Sequence, residues 1–190
     1  KNWSLGNEYS LIYITAPAKE KGQVFLKREK EMWNWVPNIE RMIKIPPSMM
    51  MQSWMGSDFT NDDLVRESSI VHDYTHKLLG EEIIDGYNCY KAELIQLDDA
   101  PVVWVKVIIW ISKEEYYWLK SEYYDEDGLL VNTENLSEVK QMDDRKIPTR
   151  MEMIPADEPG NKTIIIFRNM KFSVKIDESF FSQQNMKRIK

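Results

Sequence analysis

The chain has little of what holds small secreted domains together or anchors a protein in a membrane. Its one cysteine, Cys89, cannot form an internal disulfide, and a cysteine-based metal site is not expected. No stretch approaches the roughly 18 apolar residues of a membrane-spanning helix. Basic residues are in the minority, with 25 Lys and Arg against 31 Asp and Glu and a net charge of −6. This charge argues against nucleic acid as a partner, because phosphate binding needs a clustered basic surface.

The length of 190 residues is sufficient for one sizeable core, and nothing in the composition demands a second domain. We therefore predict a single domain over residues 1–190. The chain opens on Asn2-Trp3-Ser4 after Lys1, a pattern typical of the interior of a strand, with no initiator methionine or signal peptide. We expect that an N-terminal part is missing, and with it the localisation signal. At the other end, Lys187, Arg188 and Lys190 are expected to form a solvated basic tail.

Alternating segments rich in β-branched and aromatic residues dominate the chain. About eleven strands are expected, mostly sequential and antiparallel, and Asp85-Gly86 is a strong hairpin signal between two of them. The sequence near its end, from Ile176 to Phe181, predicts a capped turn that docks two phenylalanines on the sheet. The expected strands cover residues 8–15, 23–28, 31–36, 41–45, 74–79, 87–97, 102–111, 116–124, 129–141, 146–154 and 162–172.

The segment 102–111 is the most apolar of these strands. Alternation predicts that Trp104, Ile108 and Trp110 share one face, and that valines and isoleucines occupy the other. Because both faces are apolar apart from Lys106, we expect a central strand that is covered on both sides.

The segment 45–64 is the one long apolar part that does not resemble a strand. We expect a helix over residues 49–55, with Ser48 as N-cap and Gly56 closing it. A second short helix is expected from Thr60 as N-cap, with Asp63 completing the capping box, to about Ser68. The fold predicted is mainly β (α+β): a strongly curved antiparallel sheet forming an unclosed half-barrel, with short lid helices over a cavity.

Two chemical alternatives are weak. Met49, Met50, Met51 and Met55 could bind copper(I) through thioethers, but consecutive residues of a helix point in different directions. The acids Asp62 and Asp63 with His72 or His76 could serve catalysis, but adjacent acids at a helix start are explained by capping. No nucleophile motif or zinc-protease motif occurs. We therefore expect no cofactor, no metal and no enzymatic activity.

Several strings match a known family, and Trp-Asn-Trp at 33–35 and Ser-Asp-Phe-Thr-Asn-Asp-Asp at 57–63 are the most specific. The matching segments are 32–37, 45–64, 73–78, 121–125, 146–153 and 179–181. On these motifs, which span nearly the whole chain, the protein resembles the outer membrane lipoprotein-sorting protein family of bacteria, a branch of the LolA-like superfamily.

The resemblance implies a periplasmic protein with an unclosed β-barrel whose apolar concave face is covered by helices. Relatives carry lipoprotein acyl chains, and members of this branch are associated with inner-membrane transporters. The alternative is a non-catalytic interaction or sensor module of the RseB type, whose acidic stretch from Asp58 to Glu67 meets a basic partner. Family members begin with a signal peptide, a first helix and early strands that this chain largely lacks. The lid-locking arginine of the lipoprotein carrier lies in that region and has no counterpart motif here.

The ligand-binding residues predicted by this interpretation are apolar and aromatic. Methionine is flexible and polarizable, so a methionine-rich lid can grip an irregular apolar ligand. Each of these residues could equally be a permanent part of the core. The candidates are Met50, Met51, Trp54, Met55 and Phe59 on the lid, and Trp33 and Trp35 on the sheet. Further candidates for the same cavity are Trp104, Trp110, Tyr116, Trp118 and Tyr124, although alternation does not say which sheet face is concave.

Overall fold

The computed structural model describes residues 1–29, 31–66, 69–98, 100 and 102–189. Over these residues the chain is mainly β, with twelve strands in two antiparallel sheets of five and seven strands, both open. The predicted fold class, mainly β, antiparallel and unclosed, is confirmed. The contacts divide the chain into two compact units, which are described separately. The five-stranded unit holds residues 1–52, 61–68 and 174–190, and the seven-stranded unit holds residues 53–60 and 69–173.

In the five-stranded unit each strand pairs with the next one along the chain, as expected for short antiparallel hairpins. Its strands are β1 (Asn2–Leu5), β2 (Tyr9–Tyr13), β3 (Val24–Arg28), β4 (Glu31–Val36) and β5 (Arg41–Ile45). Its helices are α1 (Asn61–Arg66) and α2 (Gln183–Met186), with 3-10 turns at Pro37–Ile39, Pro47–Met49 and Glu178–Phe180.

The C-terminal segment completes the core of this unit. The Asp177 carboxylate accepts a hydrogen bond from the Ser179 N–H and so caps the 3-10 turn, and Phe181 is fully buried in a cluster of β2, β3 and β4 residues. The prediction of a capped, docked turn is confirmed. Of the predicted solvated basic tail, Lys187 and Arg188 are exposed as expected, and Lys190 lies outside the described residues. The apolar residues of this end do not share that exposure, because Met186 is buried in the same cluster and Ile189 packs against it.

The seven-stranded unit is an uninterrupted antiparallel meander. The Asp85-Gly86 hairpin is confirmed: both residues have positive φ, 48° and 84°, which aspartate tolerates and glycine favours. The strands are β6 (Tyr74–Ile84), β7 (Tyr87–Gln96), β8 (Lys106–Ser112), β9 (Trp118–Tyr124), β10 (Leu130–Met142), β11 (Arg145–Pro155) and β12 (Thr163–Ile166). A 3-10 turn, Ser69–Val71, precedes β6.

The register defines the two faces of this sheet. Leu94 is paired with Val107, and Val107 with Tyr123, so these residues project from one face, called the Leu94 face. Lys91, Trp110 and Lys120 are paired in the same way on the opposite face, called the Trp110 face.

Strand β8 is internal and packed on both faces, as predicted. The predicted side of Trp104 is wrong. The strand begins at Lys106 rather than at residue 102, so Trp104 lies outside its alternation. The Trp104 ring packs instead against Tyr123 at a centroid distance of 5.4 Å, within the cluster on the Leu94 face.

The helix predicted over residues 49–55 is absent, and that prediction is wrong. The carbonyls of Met50 and Gln52 accept hydrogen bonds from the backbone N–H groups of Asp62 and Asn61, both at 3.0 Å, rather than from the next helical turn. Met55 has a left-handed φ of 53°, which interrupts a helix. The second helix does begin at Asn61, directly after Thr60, as predicted. Its predicted end at Glu67 and Ser68 lies outside the described residues.

Candidate functional site

The Leu94 face carries the main apolar cluster of the seven-stranded unit. Leu94, Val107 and Ile109 are buried at its centre, and Met153 of β11 extends the cluster across the sheet. Phe59 and Trp104 cover this surface from segments outside the sheet. Further apolar residues pack around it without being fully buried: Ile70, Ala92, Val102, Val103, Ile111, Trp118, Val131, Met151 and Ile165.

The same face continues as uncovered apolar surface towards the edge strand β6. The side chains of Leu78 and Ile83 are 62% and 68% exposed, and Tyr90 of β7 is exposed beside them. Leu78 is paired with the half-buried Ala92, and Tyr90 with the half-buried Ile111. Exposed apolar side chains therefore extend the buried cluster to the sheet edge, where the Glu81–Lys113 ion pair lies among them and places the Lys113 ammonium 5.2 Å from the Tyr90 ring. Apolar surface left in water favours a ligand or a partner.

The Trp110 face combines a second buried cluster, formed by Cys89, Trp110, Tyr117 and Leu119, with charged residues that lie over Trp110. The Trp110 indole Nε1–H donates to the Glu82 carboxylate at 3.0 Å, and the ammonium groups of Lys91 and Lys120 lie 4.8 and 4.4 Å from the indole ring. Further along, Lys106 lies 3.8 Å from the Tyr124 ring. The Trp110 indole is thus enclosed by cations and held by Glu82, which gives it a structural role.

Tyr124 belongs to the same charged network. Its hydroxyl donates to the Glu122 carboxylate at 2.8 Å, and Lys120 donates to the other Glu122 oxygen at 2.7 Å. Burial and the neighbouring Glu122 carboxylate raise the pKa of Tyr124 to about 12. The hydroxyl therefore stays protonated and remains a hydrogen-bond donor at any physiological pH.

A buried polar cluster interrupts the apolar Leu94 face. The Glu134 carboxylate accepts hydrogen bonds from the hydroxyls of Ser121 at 3.1 Å and Tyr123 at 2.9 Å. Ser121 in turn accepts the indole N–H of Trp118 at 2.6 Å. Sequence reasoning missed Glu134, because a lone acid in an alternating strand resembles a solvent-facing residue. Only the pairing of Glu134 with Ser121 assigns it to the apolar face.

Residues 53–60, called the 53–60 loop, hold Phe59 against this face. The loop is closed by the Trp54 N–H donating to the Phe59 carbonyl at 2.7 Å, and by the Ser57 hydroxyl donating to the Trp54 carbonyl at 2.6 Å. Asp58 ties it to β12. The Asp58 N–H donates to the Thr163 hydroxyl oxygen at 3.0 Å, and that hydroxyl donates to the Asp58 carboxylate at 2.6 Å.

The structure divides the seven predicted ligand-binding residues between the two units. In the seven-stranded unit, Phe59 is buried on the Leu94 face, Trp54 is half-buried next to it in the loop, and Met55 is 40% exposed. The five-stranded unit holds Met51, which is 58% exposed, and three less exposed residues. These three are the buried Trp33 and Met50 and the half-buried Trp35.

The further aromatic candidates do not share one surface. Trp104 and Trp118 belong to the Leu94 face, whereas Trp110 and Tyr124 project from the opposite face. Tyr116 is exposed in the turn before β9. The prediction that all five line one cavity is therefore wrong.

His76, one of the residues considered for catalysis, contacts the backbone of the turn before β6. The His76 ring nitrogen Nε2 lies 2.8 Å from the Ile70 carbonyl and links β6 to the preceding 3-10 turn. Within the described ranges, no three His, Cys, Asp or Glu side chains are grouped so that they could hold a metal ion. Nor does that part of the chain contain a helix long and apolar enough to cross a membrane.

Three solved structures are similar to this chain and support a LolA-like fold. A DUF1329 family protein from Desulfovibrio piger has a TM-score of 0.86 at 26% identity, over 94% of this chain and 76% of that one. A LolA superfamily protein from Nitrosomonas europaea has a TM-score of 0.77 at 27% identity, over 95% and 79%. A domain from Vibrio parahaemolyticus, assigned provisionally to outer membrane lipoprotein sorting, has a TM-score of 0.86 at 24% identity, over 98% and 81%.

A family model described as "Uncharacterized protein" matches residues 6–188, and the chain belongs to that family. The comparison with curated proteins finds no match. The predicted LolA-like fold is confirmed by the solved structures.

Proposed function

We propose that this chain is a periplasmic binding protein that carries the acyl chain of a lipoprotein, or another lipid, on the Leu94 face. The observation that carries this proposal is that the buried cluster and the exposed Leu78, Ile83 and Tyr90 lie on the same face of one sheet. An acyl chain laid across this face would bury the exposed edge. Support also comes from the LolA-like fold and from the lipoprotein-sorting assignment of the similar Vibrio domain.

The energetics suit a reversible carrier. Each methylene of an acyl chain that leaves water contributes about 0.8 kcal/mol. After the cost of immobilising chain and protein, one long acyl chain can reach a micromolar dissociation constant. Affinity in this range allows uptake and release without a covalent step, so the role needs neither catalysis nor a bound metal.

The 53–60 loop is the proposed lid. In the structure Phe59 occupies the apolar face, so an acyl chain that needs this surface must displace it. The Asp58–Thr163 hydrogen bonds hold the loop closed, and their breakage releases Phe59 and Trp54 towards the incoming chain. The exposed Met55 would pack over the loaded chain, where its flexible thioether side chain adapts to the ligand's shape.

The proposed lid does not include the other two methionines that the sequence predicted for it. Met50 and Met51 lie in the five-stranded unit, outside the 53–60 loop. Their contact with a ligand stays a prediction from the sequence.

The proposal is tested by replacing exposed apolar residues, which the fold does not require. In the Leu78→Ser/Ile83→Ser variant we expect the affinity for palmitic acid to fall at least about fivefold, since it removes apolar contact area. The matched control is Ile164→Ser/Ile166→Ser. It changes two exposed isoleucines of β12 on the opposite face, as their pairing with Glu152 and Arg150 shows.

Equilibrium titration with palmitic acid and with a diacylated lipopeptide provides the measurement. Equal losses in the two variants would show that the Leu94 face does not bind the acyl chain. A protein that takes up neither probe would instead be a protein-interaction module, the alternative that the sequence left open.

A further inference from the structure

A second concavity lies wholly within the five-stranded unit, at its C-terminal segment. Its volume is about 560 Å³. It is formed by β1, by the stretch that precedes the 3-10 turn Glu178–Phe180, by that turn and by helix α2. No residue of the Leu94 face or of the 53–60 loop contributes to it. It is therefore independent of the acyl-binding surface, and its ligand can be inferred without the proposed function.

One wall of this concavity is apolar and aromatic. Trp3 and Phe180 both line it, with ring centroids 5.7 Å apart, and Phe180 packs in turn against the buried Phe181 at 5.3 Å. Ile176 and the exposed Val174 extend this wall. The aromatic pair is fixed by the core beneath it, so the wall is preformed and needs no rearrangement to bind an apolar group.

The concavity also carries positive charge in a protein of net charge −6. Lys175 and Arg188 line it, and within the described residues neither forms an ion pair or a side-chain hydrogen bond. The acidic residue of the lining, Asp177, is engaged with its own turn, since its carboxylate accepts the Ser179 N–H at 2.9 Å. Two uncommitted cations beside an aromatic wall are complementary to a ligand that has an anionic group on an apolar body.

We propose that this concavity binds the head group of an anionic phospholipid. The phosphate pairs with Lys175 and Arg188, and the glycerol and first methylenes pack on Trp3 and Phe180. A phosphate oxygen suits the guanidinium fork of Arg188, which can donate two parallel hydrogen bonds. Such a site would orient the protein on the surface of an anionic bilayer.

The test is an NMR titration of the ¹⁵N-labelled protein, read at the backbone amides of residues 174–188. The probes are dihexanoylphosphatidylglycerol, dihexanoylphosphatidylcholine and inorganic phosphate. We expect saturable shifts with phosphatidylglycerol and affinity at least about tenfold weaker for the other two, because each lacks the net charge or the apolar part.

The variant Lys175→Gln/Arg188→Gln should bind phosphatidylglycerol at least about tenfold more weakly. The control Lys21→Gln/Arg41→Gln removes the same charge from exposed residues of the same unit and should bind normally. Val174→Glu, which puts a carboxylate into the concavity, should abolish the shifts. Leu78→Ser/Ile83→Ser should leave them unchanged, which separates this site from acyl binding on the Leu94 face.

Four outcomes would overturn the proposal. Phosphatidylcholine binding as tightly as phosphatidylglycerol would show that charge is not recognised. Inorganic phosphate binding as tightly would show a free-anion site without a lipid component. An unchanged affinity in Lys175→Gln/Arg188→Gln, or an absence of shifts at these amides in the wild type, would remove the site.

Discussion

Glu152 shows how single side chains maintain the charged Trp110 face. Its carboxylate accepts hydrogen bonds from Arg150, at 2.9 Å from Nε and 2.6 Å from Nη2, and from Lys162 at 3.1 Å. The hydrogen bonds from Arg150 and then those from Lys162 lower the pKa of Glu152 below its usual range. The folded state therefore prefers the ionised carboxylate more strongly than the unfolded chain does.

This preference has a defined pH dependence. A lowered pKa stabilises the fold fully above the ordinary pKa of glutamate, and the stabilisation is lost as the pH falls through the lowered value. We expect Glu152→Gln to reduce the free energy of unfolding at pH 7, and the difference from the wild type to shrink steadily on acidification. Urea denaturation over a pH series measures it.

The control for this series is Glu126→Gln, a change in the exposed turn before β10. It should alter the free energy of unfolding little at any pH. A Glu152→Gln difference that grew on acidification would contradict the role assigned to Arg150 and Lys162.

Phe181 is the residue that most firmly attaches the C-terminal segment to the five-stranded unit. It is fully buried, and its carbonyl accepts a hydrogen bond from Arg28 at 3.2 Å. We expect Phe181→Ala to lower the free energy of unfolding by about 3–5 kcal/mol, because it leaves a cavity. Phe180→Ala should cost clearly less, since Phe180 is only half-buried. A loss for Phe181→Ala in thermal or urea denaturation that is no larger than that for Phe180→Ala would contradict the anchoring role given to Phe181.

Features of single residues that depend on their neighbours along the chain could be predicted from the sequence. Features that depend on pairing with a distant strand could not. The Asp85-Gly86 turn and the Asp177 cap depend on neighbours within three residues, so the sequence predicted both. Glu134 is defined by pairing with a different strand, and no local pattern reveals that. Trp104 was assigned to the wrong side because two residues separate it from the start of β8, which alternation alone does not show.

The 53–60 loop is the element whose behaviour decides whether a lid exists. Its attachment to β12 consists of the two hydrogen bonds between Asp58 and Thr163. We expect Asp58→Ala and Thr163→Val each to destabilise the protein by about 1 kcal/mol, with a double variant less destabilised than the sum. Both should accelerate palmitate association, because a loosened loop exposes the Leu94 face more often.

Stopped-flow association and a urea double-mutant cycle measure these effects. Asp157→Ala, which changes an exposed acid of the same unit, is the control for lost charge. Strict additivity of the two variants, or unchanged association rates, would show that the contact does not hold a lid.

The wrong prediction of a methionine helix has a physical explanation at this level. The pattern of residues 49–55 fits a helical face, but a helix needs its own backbone acceptors. The carbonyls of Met50 and Gln52 are occupied by Asp62 and Asn61, which lie well beyond the reach of a helical turn. These hydrogen bonds join residues that are distant in the sequence, and they outweigh the intrinsic helix propensity of so short a segment. The helix at Asn61 was predicted because its capping signal is local.

For the molecule as a whole, the sequence indicated the fold class and the LolA-like fold, but not which residues lie on each face of the sheet. Alternation places side chains on two sides of a strand without saying which side is covered. The pairing of β6 to β12 assigns residues to the two faces within the seven-stranded unit, with the larger apolar cluster on the Leu94 face and a smaller one beneath charged residues on the Trp110 face. The single domain predicted over residues 1–190 stays a prediction.

The central claim is that an acyl chain lies on the Leu94 face beneath the 53–60 loop. The most direct measurement is photo-crosslinking with a palmitic acid that carries a terminal diazirine, followed by peptide mapping of the labelled protein. We predict labels on the loop and on β6 and β7, near Leu78, Ile83 and Tyr90, and their loss when unlabelled palmitic acid competes. Labels concentrated on the Trp110 face, or scattered labels that competition does not reduce, would contradict this claim.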